Sequence, residues 1–328
     1  MSNIKLKNNP ELMEAIEKAL NSGSSVRGAA RDVLGSESRE SSIRAAIKRG
    51  DIVRDSDTET QFNPLDGNVR ILYFDIETAP LRGAVWSMWM NNLGLNQIET
   101  DWFILSYAAR WSGDPEGEVM YEDLQGYVDQ EDDSKLLDSL WKLLDEADVV
   151  IGQNSKKFDA KKINARFIMN GYTPPSSYKH IDTLQMAKSS FAFTSNKLEY
   201  MSDKLCTKYK KLTHQSFAGY KLWAECLKDN PEAWAEMRLY NEYDVLSLEE
   251  LYLKLAPWDK KHVNFNLFNE GTDVVCRCGS TDIVEYGFAY TGTSKFQRYR
   301  CRDCGAESRG RTNLFDKEKR KSLHMNIA

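Results

Sequence analysis

The amino-acid sequence predicts an α/β protein whose central part is a mixed β-sheet flanked by helices. Apolar strand patterns come first along the centre of the chain, and alternating strand and helix patterns follow them. This order is typical of a mixed sheet covered by helices. The chain has 328 residues, of which 41% are hydrophobic and 28% charged, so it is long and apolar enough to bury a full core.

Residues 1–50 predict a small helical domain ahead of the sheet. Apolar side chains recur at helical spacing in three stretches that begin near Pro10, Ser24 and Arg39. Three short helices with tight turns are typical of a helix-turn-helix, whose last helix enters the major groove of DNA. The candidate DNA contacts on that helix are Arg39, Arg44 and Lys48. A plain three-helix bundle has the same pattern, so both interpretations stay open.

Residues 51–68 are polar and rich in turn formers, which predicts a linker to a domain over 69–270. In that domain, we expect strands at Val69–Phe74, Phe103–Trp111, Glu118–Tyr121 and Val149–Gly152. Helices are expected at about Asp133–Glu146 and Asp159–Asn170, and the chain from there to about Lys254 has mostly helical patterns.

Acidic residues stand where these predicted elements meet. Asp75 and Glu77 are two residues apart at the end of the first strand, so both project from one face. Asp159 opens an amphipathic helix, and Tyr240 and Asp244, four residues apart, share a helix face. Each pattern also has an ordinary explanation: a surface strand end, a helix cap, or an exposed side chain on a helix.

Taken in order, three segments resemble the DEDD superfamily of 3′→5′ exonucleases, which has a ribonuclease-H-like fold. FDIET (74–78), GQNSKKFD (152–159) and YNEYD (240–244) match its three motifs, and the match is closest to the proofreading exonuclease domain of family B DNA polymerases. The Tyr-x-x-x-Asp form of the third motif is typical of the DEDDy subgroup. The resemblance covers about 69–255.

The resemblance implies hydrolysis of phosphodiester bonds by two Mg²⁺ or Mn²⁺ ions, with release of nucleoside monophosphates. Asp75 would bridge both ions, Glu77 and Asp244 would hold the ion that activates water, and Asp159 would favour the other ion. Tyr240 would orient the attacking water or help to deprotonate it. Converging carboxylates repel one another, so such a set is coherent around cations.

The resemblance also bears on substrate and partners. Asn154 and Phe158 would contact the terminal nucleotide, and Asp182 would be a helix cap or a residue supporting the ligands. The same motifs cleave DNA and RNA; we favour DNA, since related stand-alone chains occur in phage DNA replication. A separate DNA polymerase or another replication protein would then be the partner. The remaining alternative is a DNA-binding regulator with an inactive nuclease core.

Four of the six cysteines form two pairs, Cys276-x-Cys278 and Cys301-x-x-Cys304, over a region (271–312) rich in glycine and arginine. Two pairs of thiolates at this separation predict a zinc ribbon with one structural Zn²⁺. The first pair has one intervening residue where ribbons usually have two, and disulfides are the alternative. The predicted nucleic-acid contacts on the ribbon are Arg298, Arg300 and Arg302, and a basic tail follows over 313–328.

Charge is divided unevenly along the chain. Residues 1–50 carry +3 and residues 271–328 carry +4, which leaves −12 for residues 51–270 out of a total of −5. Basic ends around an acidic centre are consistent with ends that bind nucleic-acid phosphates and a centre whose carboxylates bind metal ions. A chance distribution of charged residues along the chain would give the same pattern. No apolar run is long enough to cross a bilayer and no secretory signal is apparent, so we expect a cytoplasmic protein with no membrane partner.

Overall fold

The computed structural model describes residues 9–21, 26–36, 39–48, 51–52, 69–89, 92–212, 216–268, 271 and 273–325. The chain divides into two units, one made of Met1–Phe62 with Asp273–Ala328 and one made of Asn63–Thr272. Most of the predicted linker, residues 53–68, lies outside the described residues. The domain boundaries expected from the sequence stay predictions.

A five-stranded mixed sheet forms the centre of the unit Asn63–Thr272, with the strand order β5-β4-β1-β6-β7. The strands are β1 (Ile71–Thr78), β4 (Ile104–Trp111), β5 (Met120–Asp123), β6 (Val149–Gly152) and β7 (Lys179–Asp182). The central strand β1 pairs antiparallel with β4 and parallel with β6. This arrangement confirms the predicted fold class. A separate pair, β2 (Arg82–Gly83) and β3 (Ile98–Thr100), follows β1 in the chain.

Six helices of this unit flank the sheet: α4 (Ser134–Glu146), α5 (Asp159–Met169), α6 (Thr183–Ser190), α7 (Leu198–Leu205), α8 (Lys221–Cys226) and α9 (Pro231–Leu255). Helix α9 contacts both β1 and β4. Its N-terminal end is well defined, since Asn230 caps the first turn and Pro231 occupies the first helical position. The core between helices and sheet is built from apolar side chains of β1, β4, β6, α4 and α9.

Most predicted elements are confirmed, with two differences. The first strand continues beyond Phe74 to Thr78, so Asp75 and Glu77 lie inside it rather than at its end. Strand β7 replaces part of a stretch that was expected to be mostly helical; it pairs parallel with β6. The side chain of Phe158, a predicted contact of the terminal nucleotide, is 40% exposed.

In the other unit, three N-terminal helices enclose a small core of their own. They are α1 (Pro10–Asn21), α2 (Val26–Leu34) and α3 (Glu40–Lys48), and their buried side chains include Ile16, Ala30 and Ile43. Arg39 is half-buried, whereas the side chains of Arg44 and Lys48 lie outside the described residues. DNA binding by this bundle stays a prediction.

The C-terminal part of the same unit is a three-stranded antiparallel sheet with the order β10-β9-β8. Its strands are β8 (Ile283–Tyr290), β9 (Lys295–Cys301) and β10 (Glu307–Arg309), and a short helix, α10 (Lys317–Lys321), follows them. Through all the described ranges, none of the helices combines the length and the apolar character that crossing a bilayer requires.

Candidate active site

Strand β1 presents two carboxylates from one face because side chains alternate along a strand. Asp75 and Glu77 are half-buried on this face, while Phe74 and Ile76 point into the core and are 1% and 2% exposed. On the neighbouring strand β4, the residues opposite them are the small Ala108 and Ser106. Small neighbours leave room above the sheet for a helix to bring further groups to the carboxylates.

Helix α9 fills that room and contributes a third carboxylate. Asn241 donates a hydrogen bond from Nδ2 to Asp75 Oδ2 at 2.8 Å, and its Oδ1 accepts one from Ser106 at 3.1 Å. One turn further, Asp244 is only 3% exposed. The two contacts of Asn241 fix the rotation of α9 about its axis, so Asp244 faces β1.

Three acidic side chains meet closely enough to share a cation. One carboxylate oxygen each from Asp75, Glu77 and Asp244 lies within 4.8 Å of the others. Asp244 Oδ1 is buried and has no hydrogen-bond partner in the described part of the chain. An unsatisfied buried oxygen among carboxylates suits a hard divalent cation such as Mg²⁺ or Mn²⁺. The donor set therefore fits the predicted metal ions.

Asp159 is the first residue of α5 and also contacts β1. Its Oδ1 accepts a hydrogen bond at 3.3 Å from the backbone N–H of Ile76, the residue between the two acids of β1. Asp159 is 3% exposed and lies outside the three-carboxylate group defined by the 4.8 Å limit. The structure thus brings all four predicted acids to one stretch of β1, with Asp159 further out.

The loop from β6 to α5, residues 153–158, is held by β7. Asp182 accepts hydrogen bonds from the backbone N–H groups of Asn154 at 3.0 Å and Lys156 at 3.2 Å, and Ser155 bonds to His180. The loop turns sharply at Asn154, whose φ is 60°. It also passes very close to Gly152, where an added Cβ would lie 2.4 Å from the Cβ of Ser155. Glycine is thus required at 152.

The acids of the site are held in an environment that favours their neutral forms. Burial, followed by repulsion from Asp159, Asp244 and Glu77, raises the pKa of Asp75 well above its usual range. Burial and the charge of Asp244 raise the pKa of Glu77 to about 8, and burial raises that of Asp159 to about 7. Bound cations would reverse these shifts, because they stabilise the ionised carboxylates.

The model of the RNase H superfamily matches residues 72–256, more than half of the chain. This chain belongs to the RNase H superfamily. The matched region begins in β1 and ends just after α9, so it includes every acid of the site. Among solved structures, the chain is similar to a family B DNA polymerase from the hyperthermophilic archaeon Pyrobaculum calidifontis.

That similarity has a TM-score of 0.41 and 15% sequence identity, and it covers 70% of this chain. The chain spans about a third of the polymerase's length, since 32% of that protein is covered. No curated protein matches the sequence. Membership of the RNase H superfamily supports nuclease activity and an acidic site for divalent metals. The direction of cleavage, the DEDDy type and the DNA substrate are proposals.

Two residues of the RNase H site were missed from the sequence. Lys211 forms an ion pair with Asp244, and its ammonium lies 4.2 Å from the centroid of the Tyr240 ring. Burial lowers the pKa of Lys211, but the charges of Asp244 and Asp75 outweigh it and raise the pKa. Trp223 donates from Nε1 to Glu77 at 3.2 Å. No local spacing marks either residue, because tertiary packing alone brings them to the acids.

Tyr240 lies beside the acids, as the helical spacing predicts. Its ring is half-buried and packs edge-on against Trp223, with 6.3 Å between the centroids. Burial and the charge of Asp244 raise the pKa of Tyr240 above its usual range, so the phenol keeps its proton near neutral pH. In this protonated state, the Tyr240 phenol can donate a hydrogen bond.

The four cysteines of the predicted ribbon form a second candidate metal site, in the unit without the RNase H domain. All four are free and buried, and they lie within one group of possible ligands: Cys276, Cys278, Cys301 and Cys304. Sulfur–sulfur distances are 3.6 Å for Cys276–Cys304 and 3.8 Å for Cys278–Cys301. Tetrahedral zinc with Zn–S bonds of about 2.3 Å separates its sulfurs by about 3.8 Å, so the donors fit Zn²⁺.

The arginines predicted to contact nucleic acid lie on or beside β9, and all three are in ion pairs. Arg298 and Arg300 lie over the ring of Tyr286, at 4.8 and 4.5 Å from its centroid, and both contact Glu307. Arg302 is 3.7 Å from Asp282. These pairs neutralise part of the positive charge that the sequence assigns to the ribbon.

Proposed function

We propose that this protein is a metal-dependent 3′→5′ exonuclease of the DEDDy type that removes nucleoside monophosphates from DNA. The observation that carries the proposal is the meeting of Asp75, Glu77 and Asp244 on one face of β1, with a buried oxygen of Asp244 left unsatisfied. The ion pair with Lys211 satisfies only one oxygen of Asp244, and a divalent cation would satisfy the other. Tyr240 and Asp159, the other two catalytic residues that the motifs predict, lie beside this group.

The residues of the candidate active site would have separate roles in phosphodiester hydrolysis. Asp75, Glu77 and Asp244 would hold divalent ions, with Asp159 at the edge of the site; these ions supply an activated water and relieve charge on the leaving oxygen. Tyr240 donates its phenolic hydrogen to orient the water. Asn154, in the loop fixed by Asp182, contacts the sugar-phosphate of the terminal nucleotide.

The ends of the chain contribute affinity rather than chemistry. We infer that the four-cysteine site holds one structural Zn²⁺ and that the ribbon and the N-terminal helices contact nucleic acid. Pairing with Glu307 and Asp282 limits the charge of the ribbon, so the stacking of Arg298 and Arg300 on Tyr286 is its strongest feature for binding bases. A separate DNA polymerase or another replication protein would recruit the enzyme.

The test is digestion of 5′-labelled oligonucleotides in Mg²⁺ or Mn²⁺, with DNA and RNA in single- and double-stranded form. A ladder that shortens from the 3′ end of DNA is expected. Exclusive decay of RNA would change the assigned substrate, and binding without cleavage would favour a regulator with an inactive nuclease core.

Variants of the carboxylates test the same proposal. Asp75→Ala and Asp244→Ala should each lower hydrolysis at least about a thousandfold, because each removes several kcal/mol of transition-state stabilisation by the ions. Circular dichroism spectra should stay unchanged. The matched control is Asp203→Ala, an exposed acid on α7. Near-wild-type hydrolysis by either site variant would refute the assignment.

A further inference from the structure

Two neutral side chains, one on α8 and one on α9, donate hydrogen bonds to the carboxylates of β1. Asn241 donates from Nδ2 to Asp75 Oδ2 at 2.8 Å. Trp223 donates from Nε1 to Glu77 Oε2 at 3.2 Å. Asp244 differs from both acids, since it is paired with an ammonium group. Amide and indole N–H groups carry no net charge, so they restrain a carboxylate and leave its negative charge available to a cation.

The amide of Asn241 is fixed on both sides. Asn241 and Ser106 are fully buried, and the amide Oδ1 accepts a hydrogen bond from the Ser106 hydroxyl at 3.1 Å. Because Oδ1 can only accept, this bond leaves the two hydrogens of Nδ2 for Asp75. Nδ2 lies 2.8 Å from Oδ2 and 3.5 Å from the backbone oxygen of Asp75. A reversed amide would place one acceptor against another, so Ser106 selects the orientation that holds Asp75.

The indole of Trp223 is held by packing on several sides. Its ring lies edge-on against Tyr240, with 6.3 Å between the centroids and 78° between the ring planes. Trp223 also packs against the main core of the RNase H domain. Its helix is anchored by Leu222 and Cys226, which are fully buried. The indole N–H therefore cannot turn away from Glu77 unless this packing is lost.

These restraints bear on cation binding because the acids repel one another. Asp75, Glu77 and Asp244 each bring an oxygen to within 4.8 Å of the others, and repulsion favours rotation of the side chains away from this arrangement. Groups that hydrogen-bond to metal ligands fix the orientation of those ligands, and their loss typically lowers metal affinity or activity by about 10- to 100-fold. One donor on each acid of β1 meets this description, and the two donors come from different helices.

We propose that Asn241 and Trp223 are positioning residues, which hold the carboxylates of Asp75 and Glu77 in the orientation that divalent cations require. This inference rests on the proposed exonuclease function, in which these two acids are metal ligands. Neither positioning residue takes part in the chemistry of hydrolysis. Their contribution is made before any nucleic acid arrives, as a higher affinity of the site for cations.

The experiment measures Mn²⁺ binding without nucleic acid, from the electron paramagnetic resonance signal of the free ion. Asn241→Leu keeps the approximate size of the side chain and Trp223→Phe keeps an aromatic ring, while both remove the donor. Each variant should bind Mn²⁺ at least about tenfold more weakly than the wild type. Asn164→Leu, at an exposed asparagine of α5, and Trp258→Phe, at an exposed tryptophan, are the matched controls and should bind normally. Ser106→Ala removes only the hydroxyl that orients the amide, so it should show a smaller loss.

Hydrolysis of an oligonucleotide at increasing Mg²⁺ concentration separates positioning from a general structural role. Asn241→Leu and Trp223→Phe should need about tenfold more Mg²⁺ for half of the maximal rate. Both should recover most of the wild-type rate at saturating Mg²⁺, with an unchanged KM for the oligonucleotide. A rate that stays low at every Mg²⁺ concentration would assign the two residues a structural role and overturn the proposal. If circular dichroism shows that Asn241→Leu does not fold, Ser106→Ala takes its place.

The Mn²⁺ measurement also distinguishes failure of the proposal from failure of the exonuclease function. Wild-type Mn²⁺ affinity in either folded donor variant would overturn the proposal, as would a wild-type protein that does not bind Mn²⁺. A wild-type protein that binds Mn²⁺ more tightly than both donor variants, yet hydrolyses no oligonucleotide, would refute the exonuclease function and leave the positioning role standing.

Discussion

Asp244 makes different use of its two carboxylate oxygens. Oδ2 accepts a hydrogen bond from the Lys211 ammonium, while Oδ1 is buried and has no partner in the described part of the chain. A buried carboxylate without full compensation is destabilising in the absence of a cation. Lys211 reduces this cost, because it supplies one positive charge among the acids. A cation that binds Asp244 through Oδ2 must compete with this ammonium.

The raised pKa values predict how stability changes with pH when no metal is present. Between the ordinary pKa of 4.5 and the folded value of about 8, Glu77 holds more protons in the folded chain than in the unfolded one. Asp159 does so up to about pH 7. The free energy of unfolding in EDTA should therefore fall as pH rises from about 5 to about 8.

Urea unfolding over this pH range measures the effect. Glu77→Gln should show a shallower decline, because it removes one of the titrating groups. Added Mg²⁺ should oppose the decline, since the ion binds the deprotonated acids. Parallel profiles for the variant and the wild type would contradict the assigned environment of Glu77.

At the scale of elements, one side chain joins β7, α6 and the loop that follows β6. Asp182 caps α6 through the N–H groups of Leu184 and Gln185, and it also accepts from Asn154 and Lys156. The expectation that Asp182 is a helix cap is confirmed. Since the same carboxylate fixes the loop before Asp159, it couples the helix start to the geometry of the candidate active site.

Replacement of Asp182 should therefore affect both stability and activity. Asp182→Ala should lower the free energy of unfolding by about 3 kcal/mol, because it removes a cap and leaves partly buried N–H groups without an acceptor. Hydrolysis should fall as well, as Asn154 and Asp159 lose their support. Asp182→Asn keeps one carbonyl oxygen as an acceptor, so its stability and its hydrolysis rate should lie between those of Asp182→Ala and the wild type. Urea unfolding and nucleotide release measure these effects, and a loss no larger than that of exposed Asp203→Ala would contradict them.

The stability of the ribbon should depend on a metal ion held by its four thiolates. Few apolar side chains are buried in its strands β8, β9 and β10. A sheet of this size needs a cross-link or a metal to be stable. Metal analysis should find about one Zn²⁺ per chain.

The Cys301→Ser/Cys304→Ser variant should lose that metal and the ordered ribbon, while it keeps the candidate active site. Cys206→Ser/Cys226→Ser, which changes the two buried cysteines of the other unit, is the matched control and should keep the zinc. Equal zinc content in the first variant and the wild type would show that the ribbon thiolates are not the ligands.

For the whole molecule, the sequence predicts what depends on local periodicity. The shared face of Asp75 and Glu77 follows from strand alternation, and the proximity of Tyr240 to Asp244 follows from helical spacing. Both are properties of neighbouring residues in one element. The order of the motifs then predicts that these elements converge, which the three-carboxylate group bears out.

Features that depend on packing between distant segments could not be predicted. Lys211 stands in a run of similar lysines, and nothing local distinguishes the one that contacts Asp244. Strand β7 has one strongly apolar residue, Ile181, and owes its conformation to pairing with β6. The pair of β2 and β3 forms across the segment between them, whose apolar residues give no strand pattern.

The hydrogen bond from Trp223 to Glu77 places a natural fluorophore at the candidate metal site. Indole emission responds to nearby charge, so a cation that neutralises Glu77 should change the intensity or the wavelength of Trp223 emission. The chain has eight tryptophans, and the difference between the wild type and Trp223→Phe isolates the one beside the acids. Titration with Mg²⁺ would then report ion binding optically, without any substrate present.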